Sequence, residues 1–392
     1  MTRPPANETP DPPSVSDWGA HRGIPLLRTV ATALTVLDQV TGLDAFCLPY
    51  PPEVQRALDR TVLACLERGA AAPSGLAELL VWCRERPVAD WPVDLPRDVV
   101  GPHDLLLDPV SRRPTQLCHE WADRCGDSAL ALRDRVVVSA ALRLCREYGE
   151  EAAYTEFRRL LVEHPVLTAA EECELALDHV LDPVRELLAV IYQPVPDSYR
   201  RDGRCAVCGR CGSLLTPLRE GGWWCERDRC RLHGEPLIRR LVPAEEAAGL
   251  LQLERPLRVF VTGPGLAEVA LEGHLAALGL RVRMWPAFDA YDIHVTFPDG
   301  WVWAVDVKDW AHPAFLGRAA RTVPREPRYD EAFWVVPQER VDHRHGYIET
   351  FERNRPPAAH DLRLVTDTDL VARARRRLTS LRTGSGKEQR RA

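Results

Sequence analysis

The front half of the chain carries apolar residues at three- and four-residue spacing, which is typical of amphipathic helices. The pattern is clearest in Ala129–Tyr148 and Glu151–Glu163. Thr168-Ala-Ala-Glu171 has the sequence of a capping box, in which side chain and backbone bond reciprocally at a helix start. We therefore predict a helical domain over residues 23–198. Residues 1–22, rich in Pro and polar residues and without the apolar stretch of a signal peptide, predict a disordered leader.

After residue 198 the pattern changes to short runs of alternating apolar and polar residues, which predict strands. The predicted strands are Leu257–Val261, Arg281–Trp285, Tyr291–Phe297, Trp301–Val307, Ala332–Val336 and Leu362–Val365. Helices are predicted over Leu266–Leu278, near Tyr347–Arg353 and in the basic residues that follow the last strand. Pro298-Asp299-Gly300 supplies a tight hairpin turn. This order predicts an α/β domain with a mixed central sheet over residues 241–382, followed by a basic disordered tail at 383–392.

Charge is divided unevenly along the chain. Residues 1–198 hold 19 Arg and 31 acidic residues, whereas residues 199–392 hold 32 basic and 26 acidic residues. The back half is therefore the part suited to a polyanion such as nucleic acid. Of the 51 basic residues only Lys308 and Lys387 are lysines. Because Arg serves here wherever a general cation is needed, a retained lysine outside the tail indicates a function that requires a compact ammonium group.

Five of the twelve cysteines lie between residues 205 and 230. Cys208-x2-Cys211 and Cys225-x4-Cys230 place two thiol pairs on two knuckles, the arrangement that tetrahedral zinc requires. Cys205 could replace Cys211 as the partner of Cys208, so it stays open as an alternative ligand. We predict a zinc ribbon over residues 199–240 that holds structural Zn²⁺.

The other seven cysteines are scattered through the helical half, several on apolar helix faces, and they indicate buried thiols in a reducing compartment. These seven are Cys47, Cys65, Cys83, Cys118, Cys125, Cys145 and Cys173. They predict a cytoplasmic protein, and no stretch of the sequence is long and apolar enough for a membrane span.

An acidic and lysine constellation marks the third and fourth strands of the C-terminal domain. Strand alternation places Asp306 and Lys308 on one face, and the hairpin folds the preceding strand back so that Asp292 approaches Asp306. Two converging carboxylates suit Mg²⁺ or Mn²⁺, and the backbone carbonyl of Val307 offers a third ligand. The alternative is a solvated ion pair on an exposed strand.

These residues resemble a known family. Glu268 on a predicted helix, followed by Asp292 and by Val-Asp306-Val-Lys308, is similar to the PD-(D/E)xK nuclease superfamily. A wider set of motifs resembles the restriction-endonuclease-like proteins that accompany the prokaryotic PIWI-RE module. Those motifs are Tyr154-x2-Phe157-Arg158, Tyr192-Gln-Pro-Val-Pro, Trp224-Cys225, Trp285-Pro286 and Asp306-Val-Lys308-Asp-Trp.

The resemblance implies a restriction-endonuclease-like fold for the C-terminal domain and a role for each residue of the constellation. Asp292 and Asp306 would bind the catalytic metal, Lys308 would stabilise charge or orient the nucleophilic water, and Glu268 would complete the metal shell or act through water. Four arginines beyond the active strand are candidates for gripping the phosphate backbone, with a solvated loop as the alternative. They are Arg318, Arg321, Arg325 and Arg328.

The sequence thus predicts a metal-dependent nuclease that hydrolyses nucleic acid, with DNA as the expected substrate. The resemblance further implies defence against invading DNA beside a PIWI-like protein and a helicase. The alternative is a catalytically inactive zinc-ribbon adaptor that binds nucleic acid within a defence complex. A third reading, a redox-sensing cysteine protein, predicts thiol chemistry without bound zinc.

Overall fold

The computed structural model describes residues 18–40, 48–96, 99–123 and 129–388. Most of the predicted leader, and Cys47 and Cys125, therefore lie outside the described residues. Trp18 begins a 3-10 turn, Trp18–Ala20, and its side chain is buried. The packed part of the helical region thus begins before residue 23.

The first hydrophobic core is built by helices from the N-terminal region. They are Gly23–Leu37 (α1), Pro52–Glu67 (α2), Leu76–Glu85 (α3) and Gln116–Asp123 (α4). Leu27, Val54 and Trp121 lie at the centre of this core, and Ala314 and Phe315 join it from much later in the chain. The helical region is therefore packed onto the C-terminal domain through shared apolar side chains.

The second group of helices confirms the helical prediction. It comprises Ala129–Tyr148 (α5), Glu151–Glu163 (α6), Ala169–Leu177 (α7) and Arg185–Ile191 (α8). The capping box is present, because Thr168 N donates to Glu171 Oε2 at 2.7 Å and Glu171 N donates to Thr168 Oγ1 at 3.2 Å. Helices α5 and α6 share one core with the C-terminal sheet, in which Phe157 is fully buried. Packing therefore crosses the domain boundary predicted at residue 198.

Two small sheets connect the helical region to the C-terminal domain. Val166–Leu167 (β1) and Tyr192–Pro194 (β2) pair antiparallel on either side of a later strand, Leu251–Leu253 (β7). The ribbon sheet has the order β5-β4-β3-β6. Its elements are Cys205–Cys208 (β3), Leu214–Pro217 (β4), Trp223–Trp224 (β5), the helix Asp228–Leu232 (α9) and Ile238–Val242 (β6). A short helix, Ala244–Ala247 (α10), follows.

The C-terminal domain is built on a five-stranded mixed sheet of order β12-β11-β10-β9-β8. The strands are Arg281–Met284 (β8), Ile293–Thr296 (β9), Val302–Val307 (β10), Glu331–Val336 (β11) and Arg363–Thr366 (β12). Strands β8, β9 and β10 pair antiparallel, whereas β10, β11 and β12 pair parallel. The predicted hairpin turn is present, with Gly300 at φ 84° and its N–H donating to Phe297 O at 3.0 Å. The predicted mixed sheet is therefore confirmed.

The strand predicted at Leu257–Val261 is wrong. Arg255–Leu257 (α11), a π turn at Arg258–Thr262 and Gly263–Ala276 (α12) form one run of helical backbone. Leu257 and Val261, four residues apart, are both buried in the large core, as helical spacing requires. The π turn precedes Pro264, which has no N–H to donate to the carbonyl four residues earlier.

Helices cover both faces of the mixed sheet. The remaining ones are Pro313–Arg318 (α13), Gln338–His343 (α14), Tyr347–Asn354 (α15) and Asp367–Glu388 (α16). Leu271 of α12 and Leu370 of α16 pack on the face that carries Val305, whereas Leu316 of α13 and Phe351 of α15 pack on the opposite face. Helix α16 extends into the segment predicted as a tail. Among the described residues, no helix combines the length and apolar character needed to cross a membrane.

Helices α6 and α12 approach each other closely at Gly265. A Cβ atom at that position would lie 2.3 Å from Cγ2 of Val162. Gly265→Ala is therefore expected to force the two helices apart and to lower the free energy of unfolding by about 1–3 kcal/mol, measured by urea denaturation.

The matched control is Gly273→Ala in the same helix, where an added Cβ would meet no atom within 4 Å. Because alanine is the better helix former, this variant is expected to keep or slightly raise stability. Equal loss of stability in both variants would contradict the close contact at Gly265 as the cause of the loss.

Candidate active site and zinc site

Four cysteine side chains meet inside the ribbon. Cys208, Cys211, Cys225 and Cys230 are all buried, and their Sγ atoms lie within 4.8 Å of one another. The Sγ atoms of Cys211 and Cys225 are 3.5 Å apart. Zinc with Zn–S bonds of about 2.3 Å holds its sulfurs about 3.8 Å apart in a tetrahedron. The donor set therefore fits a structural zinc ion with four protein ligands.

The structure places Cys205, the alternative ligand, apart from the group of four sulfurs. Cys205 and Cys208 are three residues apart in β3, so their side chains point to opposite faces of the strand. Cys205 is buried in a separate apolar cluster with Tyr199 and Leu214. His233, the other potential ligand nearby, pairs with Glu339 at 3.0 Å instead.

The predicted acidic and lysine constellation lies at the end of β10. The register that pairs Val305 with Ile293, carried one residue further, sets Asp306 opposite Asp292, which directly precedes β9. Lys308 Nζ lies 2.7 Å from Asp306 Oδ1 and 4.0 Å from Asp292 Oδ2. The ammonium group is therefore within ion-pair distance of both carboxylates.

Backbone groups tie Asp292 and Val307 together. Val307 N donates to Asp292 Oδ2 at 2.5 Å. Because the N–H and C=O of one strand residue point to the same side, the Val307 carbonyl faces this edge as well. The Val307 carbonyl therefore stays a candidate third ligand beside Asp292.

Glu268 reaches the same end of the sheet from helix α12 and is buried. Trp285 Nε1 donates to Glu268 Oε2 at 2.6 Å, and Arg158 Nη2 lies 3.5 Å from the same oxygen. Glu272, one turn further along α12, pairs with Arg159 at 2.9 Å. Glu268 is therefore the acid of α12 that lies beside Trp285 and Arg158, whereas Glu272 is held by Arg159.

Sequence reasoning missed a further acid, Asp289, and the turn that carries it. Residues 285–289 form a left-handed turn, with φ of 44° at Trp285, 51° at Ala287, 59° at Phe288 and 70° at Asp289. None of these is glycine, and left-handed helical backbone costs other residues roughly 1–2 kcal/mol each. Such strain persists only where the surroundings enforce it, and it is concentrated at functional sites. The available signal was Trp285-Pro286 among the family motifs.

Arg158 and Tyr154 of helix α6 bind Asp289. Arg158 Nη1 lies 3.0 Å from Asp289 Oδ2, and Tyr154 Oη donates to the same oxygen at 3.0 Å. Their spacing of four residues sets both side chains on one face of the helix. The motif Tyr154-x2-Phe157-Arg158 was the sequence signal for this contact, although it did not indicate the partner.

The cluster holds more negative than positive charge. Four carboxylates, Glu268, Asp289, Asp292 and Asp306, accompany two cations, Arg158 and Lys308. Burial, followed by repulsion from Glu268 and Asp306, raises the pKa of Asp292 well above its ordinary value. Burial by itself would lower the pKa of Lys308, but the neighbouring Asp306 and Asp292 raise it. Glu268 and Asp292 are buried and Asp289 and Asp306 half-buried, and an excess of carboxylates over cations in such a cluster suits a divalent cation.

The carboxylates are not gathered as tightly as the thiols. Among the described residues, the four cysteines are the group of potential metal ligands whose ligand atoms all lie within 4.8 Å of one another. Asp292, Asp306 and the Val307 carbonyl nevertheless form an all-oxygen donor set at one edge, which fits Mg²⁺ or Mn²⁺ in chemistry.

The four candidate phosphate-binding arginines lie apart from the cluster. They are exposed and follow the start of α13, on the path from β10 to β11. Arg318 packs over the ring of Trp18 at 4.5 Å, and Arg325 over that of Tyr329 at 5.8 Å. The loop ends where Asp330 N donates to Val302 O, at the far end of β10 from Lys308. The end of this loop therefore lies at the end of β10 that is opposite Lys308.

The ribbon and the helical region both contact the segment directly after Lys308. Asp309 accepts hydrogen bonds from Arg340 at 2.7 Å, Arg227 at 3.0 Å and Arg229 at 3.3 Å. Burial would raise the pKa of Asp309, but these three guanidinium groups hold it below its ordinary value. Arg227 and Arg229 belong to the ribbon, so the ribbon is fastened to the strand that carries the constellation.

From the helical region, Glu120 of α4 accepts backbone hydrogen bonds from Ala311 at 2.7 Å and His312 at 2.8 Å. Burial raises the pKa of Glu120 to about 7. The end of β10 is thus held from two sides.

Two family models match the chain. Residues 26–168 match the model described as pPIWI_RE three-gene island domain Y, and residues 265–382 match the model described as REase associating with pPIWI_RE. The first match includes Arg158, and the second includes Glu268, Asp292, Asp306 and Lys308. No curated protein and no solved structure matches the chain. The two family matches support a restriction-endonuclease-like partner of the pPIWI_RE module, with a region similar to domain Y ahead of a region similar to its REase.

Proposed function

We propose that this chain is a metal-dependent nuclease that hydrolyses phosphodiester bonds of DNA. It would act together with the pPIWI_RE module in defence against invading DNA. The observation that carries the proposal is the convergence of Glu268, Asp292, Asp306 and Lys308 at one end of the sheet, inside the REase match. Burying carboxylates around one ammonium group costs electrostatic free energy. Binding of a metal cation and an anionic substrate would offset that cost.

Asp292, Asp306 and the carbonyl of Val307 would hold Mg²⁺ or Mn²⁺, which when bound lowers the pKa of a coordinated water and offsets charge on the phosphate. Lys308 would donate a hydrogen bond to a non-bridging phosphate oxygen or to the nucleophilic water. Its position 2.7 Å from Asp306 keeps the ammonium beside the carboxylate that holds the cation. Glu268 would orient the water or accept its proton.

Structural Zn²⁺ in the ribbon is part of the proposal, because the four sulfurs leave no position for a substrate. The exposed arginines Arg318, Arg321, Arg325 and Arg328 would contact the DNA backbone away from the cleaved bond, since their loop returns to the end of β10 opposite Lys308. A PIWI-like protein and a helicase are the proposed partners.

Lys308→Met is expected to lower the rate of DNA cleavage by about 100-fold or more, because one preorganised donor to the developing charge is lost. The measurement compares wild type and variant on plasmid, linear duplex and single-stranded substrates, with Mg²⁺, with Mn²⁺ and with EDTA. Lys308→Arg keeps the charge but not the compact ammonium group, so an intermediate rate is expected.

If wild type binds nucleic acid but cleaves none of these substrates with either metal, the chain is the non-catalytic zinc-ribbon adaptor instead. Cleavage that continues in EDTA, or at the same rate in Lys308→Met, would likewise contradict the proposed chemistry. The same assay with RNA substrates shows whether the chain cleaves DNA or RNA.

A further inference from the structure

We propose that Arg158, supplied by helix α6 from the region matched to domain Y, is a positioning residue of the candidate nuclease site. It would hold Glu268 and the left-handed turn in the geometry that the metal-binding edge requires. This inference rests on the proposed function and adds to it a residue from outside the REase match. The REase-matched segment then depends on the domain Y region for a complete site.

Arg158 touches two carboxylates with different ends of one guanidinium group. Nη1 lies 3.0 Å from Asp289 Oδ2, and Nη2 lies 3.5 Å from Glu268 Oε2. The guanidinium group also lies over the ring of Trp285, 5.3 Å from the ring centre. The planar fork therefore fixes the distance between a residue on α12 and a residue on the turn, which a single point charge could not do.

Helix α6 holds the turn along one face. Glu151, Tyr154 and Arg158 follow one another at three- and four-residue spacing, so their side chains project from the same side of the helix. Glu151 Oε1 accepts a hydrogen bond from Ala287 N at 2.7 Å, and Tyr154 Oη donates to Asp289 Oδ2 at 3.0 Å. Three contacts from one rigid helix explain how a run of non-glycine residues stays in left-handed backbone.

The turn is connected directly to the proposed metal ligand. Trp285 N donates to the backbone carbonyl of Asp292 at 2.8 Å, while Trp285 Nε1 donates to Glu268 at 2.6 Å. A shift of the turn would therefore move Asp292 and Glu268 together. The path from Arg158 to the metal-binding edge runs through one turn of five residues.

The close approach of the two helices makes this reach possible. Val162, one helical turn after Arg158, lies against Gly265, which is one turn before Glu268. Any side chain at residue 265 would increase the separation of α6 and α12 at the level of the ion pair.

Arg158→Gln is expected to lower kcat for DNA cleavage by about 10- to 100-fold and to weaken Mn²⁺ binding by a similar factor, as loss of groups that support metal ligands does. Mn²⁺ binding is measured on the full chain without DNA, by titration calorimetry or electron paramagnetic resonance. Removing a nearby cation would by Coulomb's law alone tighten Mn²⁺ binding, so weaker binding identifies loss of positioning.

The matched control is Arg159→Gln. Arg159 is the adjacent residue of the same helix and also lies over the ring of Trp285, at 5.8 Å, but it pairs with Glu272 at 2.9 Å and not with Glu268. This variant is expected to keep both kcat and Mn²⁺ affinity. Arg158→Lys should recover part of both values, and Tyr154→Phe should change them in the same direction as Arg158→Gln by a smaller factor. If Arg158→Gln does not fold, these two milder variants decide.

Failure of the inference and failure of the proposed function give different results. If wild type cleaves DNA and Arg158→Gln matches it in kcat and Mn²⁺ affinity, the positioning role is wrong and the nuclease stands. If wild type cleaves nothing yet Arg158→Gln weakens Mn²⁺ binding, the nuclease is wrong and the positioning of a cation site stands. Equal damage from Arg159→Gln, or tighter Mn²⁺ binding in Arg158→Gln, would overturn the inference.

Discussion

Asp306→Ala is expected to abolish DNA cleavage, with a fall in rate of at least about 1,000-fold, while the chain keeps its fold and its affinity for DNA. The proposed metal supplies several kcal/mol of transition-state stabilisation, and each 1.4 kcal/mol corresponds to roughly a factor of ten in rate. Asp306 is opposite Asp292 in the hairpin and 2.7 Å from Lys308, so its loss removes one ligand and the partner of the ammonium group together.

The fold should survive this change because Asp306 lies near the end of β10 and is only partly buried, and because Lys308 keeps Asp292 at 4.0 Å. The matched control is Asp299→Ala in the hairpin turn at the other end of β10. Asp299 also pairs with a cation, Arg377 at 2.6 Å, but lies far from the constellation along the strand. Cleavage, Mn²⁺ binding and thermal melting are measured on both variants. A cleavage rate in Asp306→Ala close to that of the Asp299 variant would rule out the proposed site.

Cys225→Ala is expected to remove bound zinc and to unfold the ribbon. Structural zinc contributes apparent binding free energies of about 10–16 kcal/mol in zinc-finger peptides, which exceeds what a segment of this size gains from its small core. Elemental analysis should find one zinc per wild-type chain and less in the variant. Limited proteolysis should then cut the variant within residues 205–242.

Loss of zinc should also reduce DNA cleavage, because Arg227 and Arg229 of the ribbon bind Asp309, the residue after Lys308. The matched control is Cys205→Ala. Cys205 is a buried cysteine of the same ribbon sheet, but it lies in a different apolar cluster. It is expected to keep both zinc and protease resistance. Absence of zinc from wild type, or equal loss from both variants, would contradict the four-cysteine site and would favour redox chemistry of the thiols.

The sequence by itself determined the features that depend on short spacing. Two cysteines separated by two residues, and two by four, form knuckles whatever the rest of the chain does, and the four sulfurs do meet. Asp306 and Lys308 share a strand face because side chains alternate, and the Pro-Asp-Gly turn sets Asp292 opposite Asp306. These are consequences of local geometry, so a single sequence is enough to predict them.

Local pattern failed where a neighbour from elsewhere in the chain decided the conformation. Leu257–Val261 has the composition of a strand, yet it is helical because its apolar residues face a core that helices α5 and α6 complete. β-branched residues carry only a weak preference, which tertiary packing overrides.

Only the tertiary structure decided which distant residues complete the candidate active site. Arg158 is 110 residues from Glu268 along the chain, and no periodicity links them. The left-handed turn at residues 285–289 contains no glycine from which the sequence could predict it. Contacts with α6 impose its conformation instead. Side-chain spacing predicts what one element presents, whereas the meeting of separate elements follows from burial of their shared apolar surface, which is a property of the whole chain.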